Sequence, residues 1–246
     1  MWILGFDSTA STVSAAILKD TSPIAFYSAE SATSHSTTLL PAIEKLLTAA
    51  GISVKDLDLI SCSAGPGSFT GVRIGVATAK GLAAPFKISC VGVSSLEAMA
   101  HSFSELRGFI CPALGARRGN VYTALFYSDG NGKVERVTDD DLIAIESLKE
   151  YIDNAVSDEF NGNCLYLAGD SIAETSEVCS SCEKVTLKRT PALLSSPSGY
   201  GAAICGYNKL FEAGEDRSMF SERNLMPIYL RKSQAERERD EKQLSF

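Results

Sequence analysis

Two successive rounds of β-strands, each followed by alternating strands and helices, dominate this sequence of 246 residues. Short connections between the first strands of each round favour antiparallel neighbours, and the later alternation is typical of α/β units. At about 100–200 residues per domain, the length suits two such units. The predicted strands are 2–6, 13–18, 24–27, 59–63, 88–93, 109–114, 121–127, 165–168 and 225–230. The pattern therefore predicts an α/β protein of two domains.

The clearest helical pattern lies at 39–50, where apolar residues recur with a 3.6-residue period. Pro41 falls in its first turn and Gly51 just past its end, which is the usual asymmetry of helix termini. A capping box at Ser94-Ser95-Leu96-Glu97 predicts a helix that runs toward Arg107. The other predicted helices are 72–84, a stretch near 146–152, 172–179 and 198–213, and residues 233–246 form a polar tail.

Composition and charge exclude several classes of protein. The net charge of −7 argues against unaided binding of nucleic acid, which usually requires a basic surface. No apolar run reaches the roughly 18 residues that a membrane helix needs, and the first residues lack the basic region of a signal peptide. The seven cysteines lie mostly in apolar stretches, which favours buried thiols in a reducing, cytoplasmic environment.

Residues that could form a metal site or a catalytic triad are scarce. The two histidines, His35 and His101, lie far apart in the sequence, so neither a histidine-based metal site nor a triad is predicted. Cys179-Ser-Ser-Cys182 is the one close cysteine pair, and it suits a pair of buried thiols better than redox or metal chemistry.

A glycine-rich loop connects a buried strand to the helix at 72–84. It reads Gly65-Pro66-Gly67-Ser68-Phe69-Thr70-Gly71, and it matches neither the Walker pattern nor G-x-G-x-x-G. One interpretation is an anion site at a helix N-terminus, with Arg73 neutralising the charge. The other is a tight structural turn or contact loop.

Small residues continue into the helix itself, at Gly71, Gly75, Thr78, Ala79 and Gly81. Each glycine inside a helix costs about 1 kcal/mol relative to alanine, so close packing must offset the cost. The helix could pack against the sheet or the first helix of its own chain, or against the helix of a partner. The sequence leaves both open.

Two further segments carry charged or polar groups at predicted turns. Asp7-Ser8-Thr9 could hold a metal–nucleotide or could accept backbone hydrogen bonds, as Asp often does in turns. Arg117 and Arg118 lie between two predicted strands, where a catalytic or anion-binding role is one interpretation and a solvated hairpin tip the other.

These motifs together resemble the TsaB (YeaZ) family. The matching segments are Asp7-Ser8-Thr9, His35-Ser36 before Leu39-Leu40-Pro41, the glycine loop with Val72-Arg73-Ile74-Gly75, Val93-Ser94-Ser95-Leu96-Glu97-Ala98, Ala116-Arg117-Arg118-Gly119 and Pro227-Ile228-Tyr229-Leu230-Arg231. Matches extend from residue 4 to 236 and are dense before 125. Gly115 and Asn120 stand where this family usually has acidic residues.

The resemblance implies an actin-like ATPase fold of two ribonuclease-H-like domains, each a mixed sheet with flanking helices. The domains would be 1–105, completed by a segment near 215–246, and a divergent 106–214. It also implies a non-catalytic scaffold or activator of the complex that adds threonylcarbamoyl to the adenosine beside the anticodon of tRNAs that read codons starting with A. The complex uses ATP, and no cofactor or metal is assigned to this chain.

The implied partners are a catalytic paralogue of the TsaD type, an ATPase of the TsaE type and, through them, tRNA, with a homodimer when the chain is alone. The implied interface residues are His35, Ser36, Leu39, Gly71, Val72, Arg73, Gly75, Thr78 and Ala79. Gly65, Pro66, Gly67, Ser68, Phe69 and Thr70 would form a structural loop, and Asp7, Ser8 and Thr9 a vestigial nucleotide or phosphate site. The alternatives are an ATP-dependent phosphotransferase of the same fold and a peptidase.

Overall fold

A five-stranded mixed sheet forms the first half of the computed structural model, which describes residues 1–30, 35–214 and 217–231. The sheet order is β3-β2-β1-β4-β5, with β1 to β3 antiparallel and β1, β4 and β5 parallel. Its strands are β1 (Trp2–Asp7), β2 (Thr12–Lys19), β3 (Ser22–Glu30), β4 (Leu59–Ser63) and β5 (Ser89–Val93).

Two helices cover one face of this sheet, and a third follows β5. They are α1 (His35–Ala50), α2 (Phe69–Ala83) and α3 (Ser95–His101). The apolar side of α1 packs with Leu4 and Phe6 of β1 in one buried cluster. Because side chains alternate along a strand, the neighbouring Ile3 points to the opposite face of the sheet. Both faces of β1 are therefore buried.

The second half contains a seven-stranded sheet with the path β10-β7-β6-β11-β12, on which β8 pairs with β6 and β9 with β8. Its elements are β6 (Gly108–Gly115), β7 (Asn120–Thr123), β8 (Phe126–Ser128), β9 (Val134–Arg136), β10 (Asp141–Ala144), α4 (Leu148–Ala155), β11 (Asn163–Ala168), α5 (Ile172–Cys179) and β12 (Val185–Lys188). Helices α4 and α5 close its core, in which Leu148 and Ile152 are fully buried.

The last long helix, α6 (Gly199–Glu212), returns to the first sheet. It packs on the face that carries Ile3 and contacts α3. A Cβ on Gly5 would lie 2.3 Å from the backbone oxygen of Gly199, so the strand and the helix meet backbone to backbone. The resemblance implies a second domain of residues 106–214, but α6, which lies within this range, packs on the first sheet.

Three predicted elements differ in extent. The strand predicted at 121–127 is divided into β7 and β8, because β7 pairs with the end of β6 and β8 with its beginning. Helix α3 ends at His101, well before Arg107. Residues 225–230 form an extended segment rather than a strand, and the predicted tail at 233–246 lies outside the described residues.

Within the described part of the chain, no helix is both long enough and apolar enough to cross a membrane. All seven cysteines are free thiols, as the sequence predicts. Burial raises the pKa of Cys90 to about 12 and that of Cys111 to about 11, which keeps both thiols protonated at neutral pH.

The close contact between α6 and α3 can be tested at Gly201. A Cβ there would lie 1.7 Å from the backbone oxygen of Ala98, so Gly201→Ala should lower the free energy of unfolding by at least about 2 kcal/mol. Gly81→Ala is the matched control, because Gly81 is exposed on α2 and has open space around it. That change should raise the free energy by up to about 1 kcal/mol in urea unfolding. Equal effects would contradict the packing.

Candidate functional site

A cleft of about 590 Å³ lies where the two halves meet. The first half contributes the β1–β2 turn, the glycine loop and the start of α1, and the second half contributes the β6–β7 hairpin. The lining residues are Thr9, Ala10, Ser11, His35, Gly67, Ser68, Phe69, Thr70, Leu114, Gly115, Ala116, Arg117, Tyr122, Asp170 and Arg231. The structure therefore brings together four motifs that the sequence analysis treated separately.

The β1–β2 turn is buried, and its carboxylate faces the protein interior. Oδ1 of Asp7 accepts hydrogen bonds from the Thr9 amide at 2.7 Å and the Thr9 hydroxyl at 2.8 Å. Oδ2 has no hydrogen bond of normal geometry within the described residues. Burial raises the pKa of Asp7, although the nearby Ser63 hydroxyl and Thr9 oppose this shift. Thr9 lines the cleft, whereas Asp7 and Ser8 do not.

The glycines of the loop and of α2 contact this same turn. A Cβ on Gly71 would lie 1.9 Å from the backbone oxygen of Ser8, and one on Gly67 would lie 2.5 Å from that of Thr9. A Cβ on Gly75 would lie 2.9 Å from the Ser8 hydroxyl. The chain's own turn thus fills the space beside these three glycines. They pack within the chain, with their closest contacts to the β1–β2 turn rather than to the sheet or the first helix.

Hydrogen bonds fix the same contact. The Ser8 hydroxyl donates to the backbone oxygen of Gly71 at 2.9 Å, and the Ser68 amide donates to the backbone oxygen of Thr9 at 2.7 Å. The Ser68 hydroxyl caps α2 by accepting from the Gly71 amide at 3.3 Å. Several polar groups that could bind an anion at this helix N-terminus are therefore already paired.

An extended C-terminal segment, residues 225–231, crosses the glycine loop. The Ile228 amide donates to the backbone oxygen of Ala64 at 2.7 Å. The Tyr229 ring stacks on Phe69 with 4.2 Å between centroids, and its hydroxyl accepts from Nε of Arg73 at 3.0 Å. Arg231 donates to the backbone oxygen of Ala116 at 2.9 Å, so this segment connects α2 to the hairpin of the second half.

The arginine hairpin has an unusual backbone. Arg117 and Arg118 both have positive φ, at 65° and 56°, a region that costs L-residues free energy. The side-chain amide of Asn120 donates to the backbone oxygens of both arginines, at 3.3 and 3.1 Å. A carboxylate could not donate these hydrogen bonds, so they explain why an amide stands at position 120, where the resemblance implies an acidic residue.

At the other departure from the family pattern, a carboxylate comes from elsewhere in the chain. Oδ1 of Asp170 accepts from the Gly115 amide at 2.8 Å and would lie 3.6 Å from a Cβ on Gly115. Asp170 is the one carboxylate among the cleft-lining residues in the part of the chain that the structure describes. Asp170 could accept a proton in the cleft, and no other carboxylate lies among the described residues that line it.

The structure divides the nine predicted interface residues into two groups. Five are buried inside the fold, and a partner cannot touch their side chains directly: these are Leu39, Gly71, Val72, Gly75 and Ala79. Ser36 and Arg73 are exposed, and His35 and Thr78 are partly exposed. His35 lies against the cleft, with Nε2 2.6 Å from the backbone oxygen of Ala10.

The opposite side of α2 faces solvent. Arg73, Ala77 and Gly81 are exposed there, and Ile74 and Thr78 are half-buried beside them. We call these five residues the outer face of α2. On the adjoining α1, Leu40 is 49% exposed in line with Ser36 and Glu44. The solvent sides of both helices therefore include small or apolar residues.

Sequence comparison with known proteins identifies the family of this chain. A sequence model of the family described as "TsaD: tRNA N6-adenosine threonylcarbamoyltransferase" matches residues 28–239. A Bacillus subtilis protein named "tRNA threonylcarbamoyladenosine biosynthesis protein TsaB" is 40% identical over 154 residues, which cover 61% of this chain and 67% of that protein. The chain belongs to the TsaB (YeaZ) family. An Escherichia coli TsaB is 36% identical over 134 residues, which cover 54% of this chain and 58% of that protein.

Solved structures confirm the fold of this TsaB-family chain. A Pseudomonas aeruginosa protein described as similar to "peptidase YEAZ" superposes with a TM-score of 0.74 at 23% identity, covering 94% of this chain and 99% of that one. At this identity the likeness concerns the fold alone. The two mixed sheets with flanking helices are the two-domain, actin-like ATPase fold that the resemblance implied.

The buried Asp7 gives a prediction about pH. A carboxyl whose folded pKa is raised destabilises the fold as pH rises from its unfolded pKa of about 3.9 toward the folded value. Asp7→Asn has no carboxyl to ionise and does not lose stability in this way. The free energy of unfolding of the mutant minus that of the wild type should therefore increase as pH rises between the unfolded and folded pKa values of Asp7. Urea unfolding at several pH values measures it.

Asp56→Asn is the matched control with the opposite sign. Hydrogen bonds from Ser53 lower the pKa of Asp56, so wild-type Asp56 stabilises the fold above about pH 3.9 and loses this effect as pH falls. The mutant should therefore be less stable than wild type at neutral pH and equal to it in acid. The same pH slope for both mutants would contradict the assignment of Asp7.

Proposed function

We propose that this chain takes part in making threonylcarbamoyladenosine in tRNA, as a non-catalytic subunit that pairs with a catalytic paralogue of the TsaD type. Its relatives in Bacillus subtilis and Escherichia coli carry the name of that biosynthesis, and the matching family is named for the transferase. The matched regions cover 67% and 58% of those two proteins. Because the match is partial, the proposed role of this chain is also argued from the structure.

The observation that carries the proposal is the exposed glycine on the outer face of α2. Gly81 lies inside a helix, and apart from its chain neighbours and the backbone of that helix no described residue comes within 4 Å of the Cβ it lacks. Alanine there would gain about 1 kcal/mol of helix stability at no steric cost in the isolated chain. Gly71 and Gly75 are explained by the β1–β2 turn, but Gly81 is not. A partner backbone that approaches this face closely would explain it.

The surroundings of Gly81 suit a helical partner. Ala77 precedes it by one helical turn on the same exposed side, and Leu40 of α1 adds an exposed apolar side chain. Small residues on one helix let a second helix approach closely, so that the side-chain ridges of one pack into the grooves of the other. We therefore assign the pairing surface to the outer faces of α1 and α2, and not to the buried members of the predicted set.

Other subunits of the complex would supply the tRNA affinity and the ATP chemistry. The acidic charge of −7 is consistent with tRNA affinity supplied by other subunits, and the use of ATP is assigned to an ATPase of the TsaE type. Without its partner, the same surface would support a homodimer. Seven free thiols are consistent with a reducing, cytoplasmic location.

Pairing can be tested with Gly81→Leu. The added side chain should stand in solvent in the free chain, which stays folded, but should overpack a close helix contact. We expect its affinity for a TsaD-type transferase to fall by on the order of tenfold or more in sedimentation experiments. Ala173→Leu on the exposed side of α5 is the matched control and should pair normally.

The functional readout is threonylcarbamoyl transfer to tRNA by the reconstituted complex. Omission of this chain should reduce product strongly, and Gly81→Leu should do so at protein concentrations where wild type supports transfer. Undiminished product without the chain would reject the accessory role. Product lost with Ala173→Leu as well would reject the assignment of the surface.

A further inference from the structure

A buried group of potential metal ligands lies between α3 and α6, among residues that do not line the cleft. Glu97 and His101 are one helical turn apart on α3, and Cys205 reaches them from α6. One ligand atom from each lies within 4.8 Å of the other two. The distance between His35 and His101 in the sequence predicts no histidine-based metal site, and Cys205 is also far from His101 along the chain.

His101 shows that this group is incomplete. Its side chain is buried, with a relative exposure of 7%, and Nδ1 has no hydrogen-bond partner among the described residues. An unsatisfied buried polar atom is costly and calls for an explanation, such as an ion that the nitrogen binds. The side chain of His101 therefore has a ring nitrogen that no described residue uses.

We propose that Glu97, His101 and Cys205 bind a divalent transition-metal ion, with Zn²⁺ the best match. Carboxylate oxygen, imidazole nitrogen and thiolate sulfur are the three ligand types that zinc takes in proteins, and a water molecule would complete four-fold coordination. This site is independent of the pairing surface on α2 and of the proposed function.

The distances and charges are compatible with such a site. Ligand atoms around tetrahedral zinc lie roughly 3.3–3.8 Å apart, so a pair of atoms at the 4.8 Å limit would have to close by about 1 Å. Oε2 of Glu97 forms only long contacts with Nη2 of Arg136, at 3.4 Å, and Nζ of Lys209, at 3.9 Å, which an ion can displace. The Cys205 thiol loses its proton to solvent as the sulfur binds, and the two anionic ligands then balance the charge of the ion.

The location indicates what the ion would do. The Glu97 side chain is 26% exposed, which gives an ion access from solvent, whereas Cys205 is almost fully buried. An ion held here would join α3 to α6, and Arg136 at the same place comes from the second half of the chain. The inferred role is therefore to hold the first-half helices together next to the contact between the halves.

The test uses the full chain after removal of metals with a chelator. Titration with Co²⁺ should give one equivalent of binding with a thiolate-to-cobalt charge-transfer band, and Zn²⁺ should displace it and raise the melting temperature. Cys205→Ala should abolish the charge-transfer band. This variant, His101→Gln and Glu97→Gln should each weaken Zn²⁺ binding by at least about tenfold. Glu97→Gln changes a partly exposed side chain and keeps the test valid if the core variants unfold.

Two controls separate this site from other thiols. Cys90→Ala removes a buried thiol in a different cluster and should leave the band and the affinity unchanged. Cys179→Ala removes one member of the close cysteine pair and should also leave them unchanged. The proposal is overturned if the wild type shows no band, if the band survives Cys205→Ala, or if Cys179→Ala abolishes it.

Discussion

Helix α2 lies on the β1–β2 turn with almost no space between their backbones. Glycine at positions 67, 71 and 75 allows this approach, because a Cβ added at any of them would clash with Ser8 or Thr9. Two hydrogen bonds across the contact, from Ser8 to Gly71 and from Ser68 to Thr9, fix its geometry. The contact sets the position of the glycine loop, of one wall of the cleft and of the side of α2 that remains exposed.

This arrangement separates two roles that the small residues of α2 could have had. Those facing inward serve the fold of this chain, because its own turn fills the space beside them. Ala77 and Gly81 face outward and are exposed, and within the described part of the chain the space beside Gly81 is open. The C-terminal segment covers the start of α2 through the Tyr229–Phe69 stack and leaves the later turns open.

Patterns within short stretches of sequence were enough to predict much of this fold. The apolar period of α1 and the position of the glycine loop depend on local propensity, and the structure confirms both. The direction in which Gly71 and Gly75 face could not be predicted, because periodicity does not say which element covers a helix. The return of α6 to the first sheet was missed for the same reason. His101 and Cys205 come together only through that return, so no sequence spacing could indicate the cluster.

The central claim is that the outer faces of α1 and α2 receive a TsaD-type subunit while the inner face of α2 stays locked on its own turn. Hydrogen exchange measured with and without that subunit tests this most directly. The account predicts new protection concentrated in peptides that cover residues 36–48 and 70–84, with the β1–β2 turn protected equally in both states. Protection confined to the β6–β7 hairpin and the cleft, or no change in α2, would contradict it.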